Sequence, residues 1–212
     1  MHLSAMNNCV RFYNCYGKYF DNPKILDVGS YDVNGSLRGA FPAGTNYIGA
    51  DIESGPNVDM VFDSHYKFPI EDNSIDIVVS SSCFEHSEMF WVTFLEVMRV
   101  LKPKGLFYMN APSNGSFHRW PQDCWRFYPD AGHALVTWAK YNNYNTALLE
   151  SFWSAPEVDN NWRDFVGIFI KDEQYVKEMP NRILHSFIHF WNGKTYENGR
   201  QPIMNFNDTP HS

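Results

Sequence analysis

The apolar positions of this chain fall into short runs separated by turns, and two periods alternate along it. Lys24–Val28, Tyr47–Asp51, Ile75–Ser80 and Leu106–Asn110 are nearly continuous apolar stretches. Their length and β-branched content suit strands buried on both faces of a parallel sheet. A shorter run, Val58–Phe62, ends at Asp63. Met89–Leu101 has the other period: Phe90, Phe94, Val97, Met98 and Leu101 recur at helical spacing. Lys102-Pro103-Lys104-Gly105 stops that helix. Residues 4–20 predict an amphipathic helix that buries Met6, Val10, Tyr13 and Phe20. A short helix is expected around Ser36–Ala40, ended by Pro42. Pro69–Asn73 is a turn. Ala131–Lys140 predicts a helix, and Ala147–Phe152 and Phe165–Ile170 predict an antiparallel pair at the sheet edge. Beyond Lys171 the pattern weakens: Ile183–Trp191 has helical spacing, and Asn192–Ser212 reads as extended or disordered.

Strands alternating with helices specify an α/β fold, doubly wound, with a mostly parallel seven-stranded sheet and helices on both faces. Residues 1–170 form one domain on this reading, and 171–212 a C-terminal extension. A length of 212 residues suits one sizeable core.

Composition narrows the partners. Lysines and arginines number 17 against 24 acids, a net charge of −7 with no basic block. That argues against a phosphate-tracking nucleic-acid surface. The N-terminal stretch has no apolar signal core, and no run reaches the ~18 apolar residues of a membrane span. A cytoplasmic protein with no membrane contact is expected. Cys9, Cys15, Cys83 and Cys124 have no C-x-x-C spacing, so they read as reduced thiols rather than zinc ligands. His185 and His189 stand at i and i+4 without a third ligand beside them, so no metal is expected.

The chemistry concentrates in ILDVGSYDVNGSL, residues 25–37. A buried strand ends in Asp27, turns at Gly29-Ser30 and runs toward a helix. The next strand ends in Asp51, 51 − 27 = 24 residues on. A glycine turn that exposes backbone N–H groups, followed about 20 residues later by a strand-end acid, is a nucleotide-cofactor arrangement, the acid accepting ribose hydroxyls. A pyrophosphate is excluded, because G-x-G-x-x-G is missing and Asp27 and Asp32 repel phosphate. An acid-lined turn fits a cationic cofactor without phosphate, and S-adenosyl-L-methionine is one.

With these residues in view, the chain resembles a class I S-adenosylmethionine-dependent methyltransferase of the type 11 group. ILDVGS, YIGADI, NVDMVFD, DNSIDIVVSSSCFEH and FLEVMRVLKPKGLFYMNAPS carry the resemblance, in order, across residues 25–113. It implies Asp27 and Gly29 along the methionine part, with Ser30 in the same turn. It implies Asp51 on the ribose, Ile52 on the adenine, Asp63 at the adenine amino group with Ser64 beside it, and Ser80 and Ser81 beneath the sulfonium. Asp51 as a turn acid and Asp63-Ser64 as a plain turn are the competing assignments. Asp32 and Asn34 depart from the family's glycine-rich turn. They either cap the next helix or touch the amino-acid end of the cofactor.

His118–Asp130, HRWPQDCWRFYPD, resembles a substrate-side segment found in a subset of these enzymes. Arg119, Trp120, Trp125, Arg126 and Tyr128 suit a lid over a polar or sugar-like acceptor. The alternative is a packed loop with Trp125 and Phe127 in the core and Arg126 paired to a carboxylate. Transfer to a hydroxyl needs a base, and His86, His118 and Asp123 are the candidates. His86 has a competing assignment as a helix cap. No Asn/Asp-Pro-Pro-aromatic turn follows the fourth strand, and no Pro-Cys nucleophile occurs, so DNA base methylation is disfavoured. The reading is methyl transfer to a small-molecule or sugar-like acceptor, at oxygen. A catalytically silent cofactor-binding module is the alternative. A nicotinamide-dependent oxidoreductase is disfavoured by the missing glycines and by the lack of Tyr-x-x-x-Lys. Oligomeric state stays open.

Overall fold

A computed structural model of the chain describes residues 3–155 and 162–203. Among the described residues, eight strands form one sheet: β1 (Lys24–Val28), β2 (Asn46–Asp51), β3 (Met60–Val61), β4 (Ile75–Ser81), β5 (Leu101–Pro112), β6 (Thr146–Ser154), β7 (Asp164–Lys171) and β8 (Phe190–Thr195). Their order is β3-β2-β1-β4-β5-β7-β6-β8. The pairs from β3 through β5 are parallel. Those from β5 through β8 are antiparallel. The chain reverses direction across the sheet between β1 and β4, the kind of switch point where open α/β sheets hold ligands.

Alternate residues of each strand serve opposite cores. On one side Leu26, Val28, Val78, Phe107 and Met109 meet helices α2 (Phe90–Val100) and α3 (Ala131–Tyr141). On the other, Ile25, Ile77, Val79, Leu106 and Tyr108 meet helix α1 (Leu3–Tyr16). Both faces are thus covered, which is why these strands read as apolar runs rather than alternating ones.

Three details differ from the sequence reading, and part of one more expectation falls outside the described residues. The sheet has eight strands, not seven, because Phe190–Thr195 pairs with β6 and covers the edge expected there. The helix expected over Ile183–Trp191 is a single 3₁₀ turn, Ile183–His185, ahead of that strand. The last nine residues of the expected extended tail, 204–212, lie outside the described residues. Helix α1 buries Ala5, Cys9, Phe12 and Tyr16, not the stripe through Met6, Val10 and Tyr13. The helix rotates because its polar residues have buried partners. The Tyr16 hydroxyl donates to Glu150 at 2.5 Å, and Asn8 Nδ2 donates to Asn110 Oδ1 at 3.3 Å.

Glu150 ties the far side together. Its carboxylate, on β6, also accepts the backbone N–H groups of Ile183 and Leu184 at 2.8 and 3.1 Å. It joins α1 and the residues before β8 to the sheet.

Candidate active site

A cleft of about 970 Å³ opens at the carboxyl ends of β1, β2 and β4. Gly29, Ser30, Asp51, Ile52, Ser81, Glu85, His86, His118, Arg119 and Trp120 line it, with Asp27 at its floor.

The turn after β1 is closed by its own neighbours. The N–H groups of Gly29 and Ser30 both donate to Ala50 O, at 2.9 and 3.1 Å, and that of Asp32 donates to Pro56 O at 3.0 Å. Tyr31 N–H donates to Asp51 Oδ2 at 3.0 Å. Those four turn donors are therefore spent within the protein, where the sequence had suggested N–H groups exposed to a ligand. A diphosphate would find no such donors here. Gly29 sits at φ +85°, and a Cβ there would lie 2.4 Å from Cys83 Cβ. Only glycine meets both demands.

Asp51 sits at the rim. Its Oδ1 accepts Ile52 N–H at 2.7 Å and Glu53 N–H at 3.3 Å, so the carboxylate is fixed and still has acceptor capacity toward the cleft. Ile52 is 40% exposed beside it and gives the cleft an apolar wall. Asp27 is 3% exposed. The Tyr47 hydroxyl donates to its Oδ2 at 2.5 Å, and its Oδ1 is buried without a hydrogen-bond partner among the described residues. Burial pushes this carboxyl up to about 7, against the opposing pull of the Tyr47 hydrogen bond and the Arg38 charge. A buried acid with one oxygen unsatisfied is a seat for a cation.

The remaining expected cofactor residues divide. Ser81 lines the cleft. Ser80 lies beneath the lining, its hydroxyl donating to Val28 O at 2.7 Å, and is a strand-to-strand tie. Asp63 is exposed outside the lining, and the Ser64 hydroxyl accepts Tyr66 N–H at 3.1 Å, so Asp63-Ser64 makes a turn. Their neighbours Phe62 and His65 reach the cleft instead. Asp32 closes its own turn on Gly35 N–H at 2.6 Å and holds Asn57 Nδ2 at 2.8 Å.

The second end of the cleft is built by two segments sewn together. Cys124 and Trp125 donate their N–H groups to Glu85 O at 2.8 and 3.1 Å. Gln122 Nε2 donates to His86 O at 2.8 Å, and Trp125 Nε1 donates to Ser87 O at 3.0 Å. His86 Nδ1 donates to Gln122 O. That carbonyl can only accept, so Nδ1 carries the proton and Nε2 presents a lone pair. His86 is therefore not a helix cap: it belongs to the 3₁₀ turn Phe84–His86, and α2 begins later. Desolvation lowers its pKa. The His118 ring stands 5.1 Å from that of His86, edge to face. Its Nδ1 is 3.3 Å from Ser116 O and 3.5 Å from Asp123 Oδ2.

Asp123 is placed differently from the base expected of it. Its side chain is 2% exposed and paired with Arg126 at 2.5 Å, and it accepts His118 N–H at 2.8 Å. The Arg126 guanidinium holds the carboxyl well below the usual range, so it takes up no proton near neutrality. Arg126 is spent on the same pair. Trp125 packs on Phe90 and Trp91, with ring centroids 5.3 and 5.8 Å apart. Tyr128 leans on Trp153. These three fall outside the cleft lining, while Arg119, Trp120 and Gln122 are in it.

Two acids escaped the sequence reading. Glu85 is fully buried, with neither carboxylate oxygen hydrogen-bonded among the described residues. Burial pushes its carboxyl up to about 8. Asp164, at the start of β7, also lines the cleft and is pushed up by burial to about 6. Glu85 had a visible signal, since it directly precedes His86. Asp164 had none, since antiparallel pairing with β5 is what brings it to the rim.

The sheet order, the switch-point cleft and the donor-poor turn define a class I methyltransferase fold. Residues 34–109 match the family model described as a methyltransferase domain. Over residues 34–109 the chain thus matches a methyltransferase domain, and S-adenosyl-L-methionine is the cofactor that this match and the fold imply. No curated protein matches the chain. Among solved structures it is similar to the Burkholderia thailandensis 1,6-didemethyltoxoflavin-N1-methyltransferase with bound 1,6-didemethyltoxoflavin and S-adenosylhomocysteine. That likeness has a TM-score of 0.60 at 14% identity, over 80% of this chain and 79% of that one. The YcgJ protein of Bacillus subtilis gives a TM-score of 0.59 at 14% identity, over 81% of this chain and all of that one (100%). A SAM-dependent methyltransferase from Aquifex aeolicus gives 0.52 at 13% identity, over 79% and 92%. Among the described residues, no helix is long and apolar enough to cross a membrane.

The residues present fit the cofactor. Asp51 offers fixed acceptors, Ile52 an apolar wall and Asp27 an unsatisfied acid for an ammonium. The turn offers no N–H cradle for a phosphate that the cofactor does not have.

Proposed function

We propose that this protein transfers a methyl group from S-adenosylmethionine to a hydroxyl of a small polar acceptor. When bound, the cofactor supplies an electrophilic methyl on a sulfonium. Asp51 takes the ribose hydroxyls, Ile52 the adenine face, and Asp27 with the Gly29-Ser30 turn the amino-acid end. Ser81 lines the same cleft.

The observation that carries the acceptor side is the pair of imidazoles, His86 and His118, at the far end of the same cleft. His86 is held through Nδ1 on a carbonyl, and the Nδ1 of His118 faces a carbonyl and a carboxylate. Each then keeps an Nε2 lone pair. Such an arrangement serves an acceptor that must lose a proton, and a hydroxyl is one. Arg119, Trp120 and Gln122 supply a charge, a flat face and an amide for a polar, sugar-sized molecule. The Burkholderia neighbour is, by its name, an N1-methyltransferase. The imidazole pair is what favours oxygen here. A volume of about 970 Å³ is near the top of the ~300–1,000 Å³ of small-molecule sites, which leaves room for a cofactor and a small acceptor together.

The test is a panel of hydroxylated and aminated small molecules incubated with the protein and labelled cofactor, with products read by mass spectrometry. Label on a hydroxyl acceptor, reduced in His118→Ala, supports the reading. Transfer only to nitrogen moves the acceptor class. Cofactor binding with no product on any acceptor favours a silent binding module.

A further inference from the structure

We propose that Glu85, His86 and His118 bind one first-row divalent transition-metal ion at the acceptor end of the cleft. No sequence pattern points to it, because the ligands come from two segments more than thirty positions apart in the chain.

Their ligand atoms all lie within 4.8 Å of one another. Metal–ligand lengths of about 2.0–2.2 Å place ligand atoms roughly 3–3.5 Å apart. His118, the most exposed of the three at 38%, is the ligand with most room to move toward those lengths. Two imidazoles and one carboxylate suit zinc, iron(II) or cobalt(II) better than magnesium or calcium.

Three independent features point to a ligand rather than to a packed cluster. Glu85 is 1% exposed in its side chain, and neither oxygen has a hydrogen bond among the described residues. His86 Nε2 stands 3.6 Å from Oε1, too far for one. A buried carboxylate left bare in this way is costly unless something charged satisfies it. Second, both histidines are anchored through the nitrogen that would not bind the ion. His86 uses Nδ1 on Gln122 O, and His118 Nδ1 faces Ser116 O and Asp123. Metal-bound histidines are held in the same way, by carbonyls and carboxylates behind the ring. Third, Arg126 is neutralised by its pair with Asp123, which leaves Arg119 as the cation in this end of the cleft lining.

All three ligands line the open cleft, so positions toward the acceptor stay free. Three protein ligands with open positions are the pattern of a catalytic rather than a structural ion. The consequence for chemistry rests on the methyltransferase reading: with both Nε2 atoms on the ion the imidazoles no longer act as bases, and the ion would instead hold an acceptor oxygen and lower its pKa so that its proton leaves to solvent. The binding site itself does not depend on that reading.

The test uses the full chain, stripped with EDTA and shown to be folded by circular dichroism. Cobalt(II) is titrated in and followed by visible absorption, and zinc(II) by calorimetry. S-adenosylhomocysteine is titrated into the same samples. One cobalt(II) per chain is expected, with affinity reduced by about 100-fold or more in both Glu85→Gln and His118→Ala. His118→Ala keeps the test open if Glu85→Gln does not fold. Metal binding without S-adenosylhomocysteine binding would leave this site standing and defeat the cofactor reading instead. A folded protein that binds S-adenosylhomocysteine but neither metal overturns the proposal. So does metal binding unchanged by both substitutions, which would place the ion elsewhere.

Discussion

Tyr31 donates its backbone N–H to Asp51 Oδ2 at 3.0 Å, so the acid at the end of the second strand fastens the turn that leaves the first. Asp51 thus has two tasks, holding the turn and facing the cleft. Asp51→Asn replaces one acceptor oxygen with a donor and cannot serve all the N–H groups that now converge on it. We expect S-adenosylhomocysteine affinity to fall by about 10–100-fold, with a lowered melting temperature, since hydrogen bonds to charged groups are worth ~1.5–3 kcal/mol. Calorimetry and thermal melting of the same variant check both.

Asp27 makes a pH-dependent prediction. Its carboxyl is pushed from 3.8 up to about 7 in the folded protein. Between those values the native state holds a proton that the unfolded chain has released. Stability from this group is therefore present at low pH, declines as pH rises through that window, and levels off above it. Cofactor binding runs the other way, because an ammonium is attracted only by the ionised acid. Affinity for S-adenosylhomocysteine should rise from pH 5.5 to pH 8, roughly tenfold per unit at most below the pKa. Asp27→Asn should bind weakly with a flattened profile. It should also be more stable at pH 8 by roughly 2–4 kcal/mol, from a shift of about three units at 1.36 kcal/mol each. Denaturant melts at pH 5 and pH 8 measure the second effect.

Arg126 and Asp123 position the lid rather than touch the acceptor. Asp123 holds His118 by its backbone N–H, and Arg126 neutralises Asp123. Arg126→Ala should lower kcat/KM for the acceptor by about 10–100-fold while cofactor affinity stays within about twofold, the split expected when orientation is lost. Steady-state kinetics with each substrate varied separately test it.

Glu150 should govern whether the chain tolerates loss of its C-terminal region. Glu150→Ala strands the Tyr16 hydroxyl and the N–H groups of Ile183 and Leu184 in the interior. A loss of roughly 3 kcal/mol or more follows at ~1–3 kcal/mol for each buried unsatisfied group. Truncation after Lys171 removes two of these donors and β8 together, and exposes the β6 edge. It should yield aggregated protein, measured by light scattering.

The first half of the molecule was legible in the sequence because its signals are local. β1, β4 and α2 each carry their own apolar period, and Asp27, Gly29 and Asp51 sit at strand ends that the sheet must bring to one rim. Long-range partners decided the rest. The face of α1 follows Tyr16 to Glu150, 134 positions away. The strand at 190–195 exists only by pairing with β6, so helical spacing at Ile183–Trp191 misled. At the acceptor end, the sequence leaves Arg126 open between a lid residue and the partner of a carboxylate, and its pair with Asp123, three residues earlier, decides for the second. Glu85 is chemically prominent only once its burial is known.

The most direct test of the account is calorimetric titration of the purified protein with S-adenosylhomocysteine, with NAD as the control ligand. The account predicts micromolar binding of S-adenosylhomocysteine at pH 8, no binding of NAD, and loss of the signal in Asp51→Ala. A folded protein that binds NAD, or that gives no heat with S-adenosylhomocysteine, would contradict it.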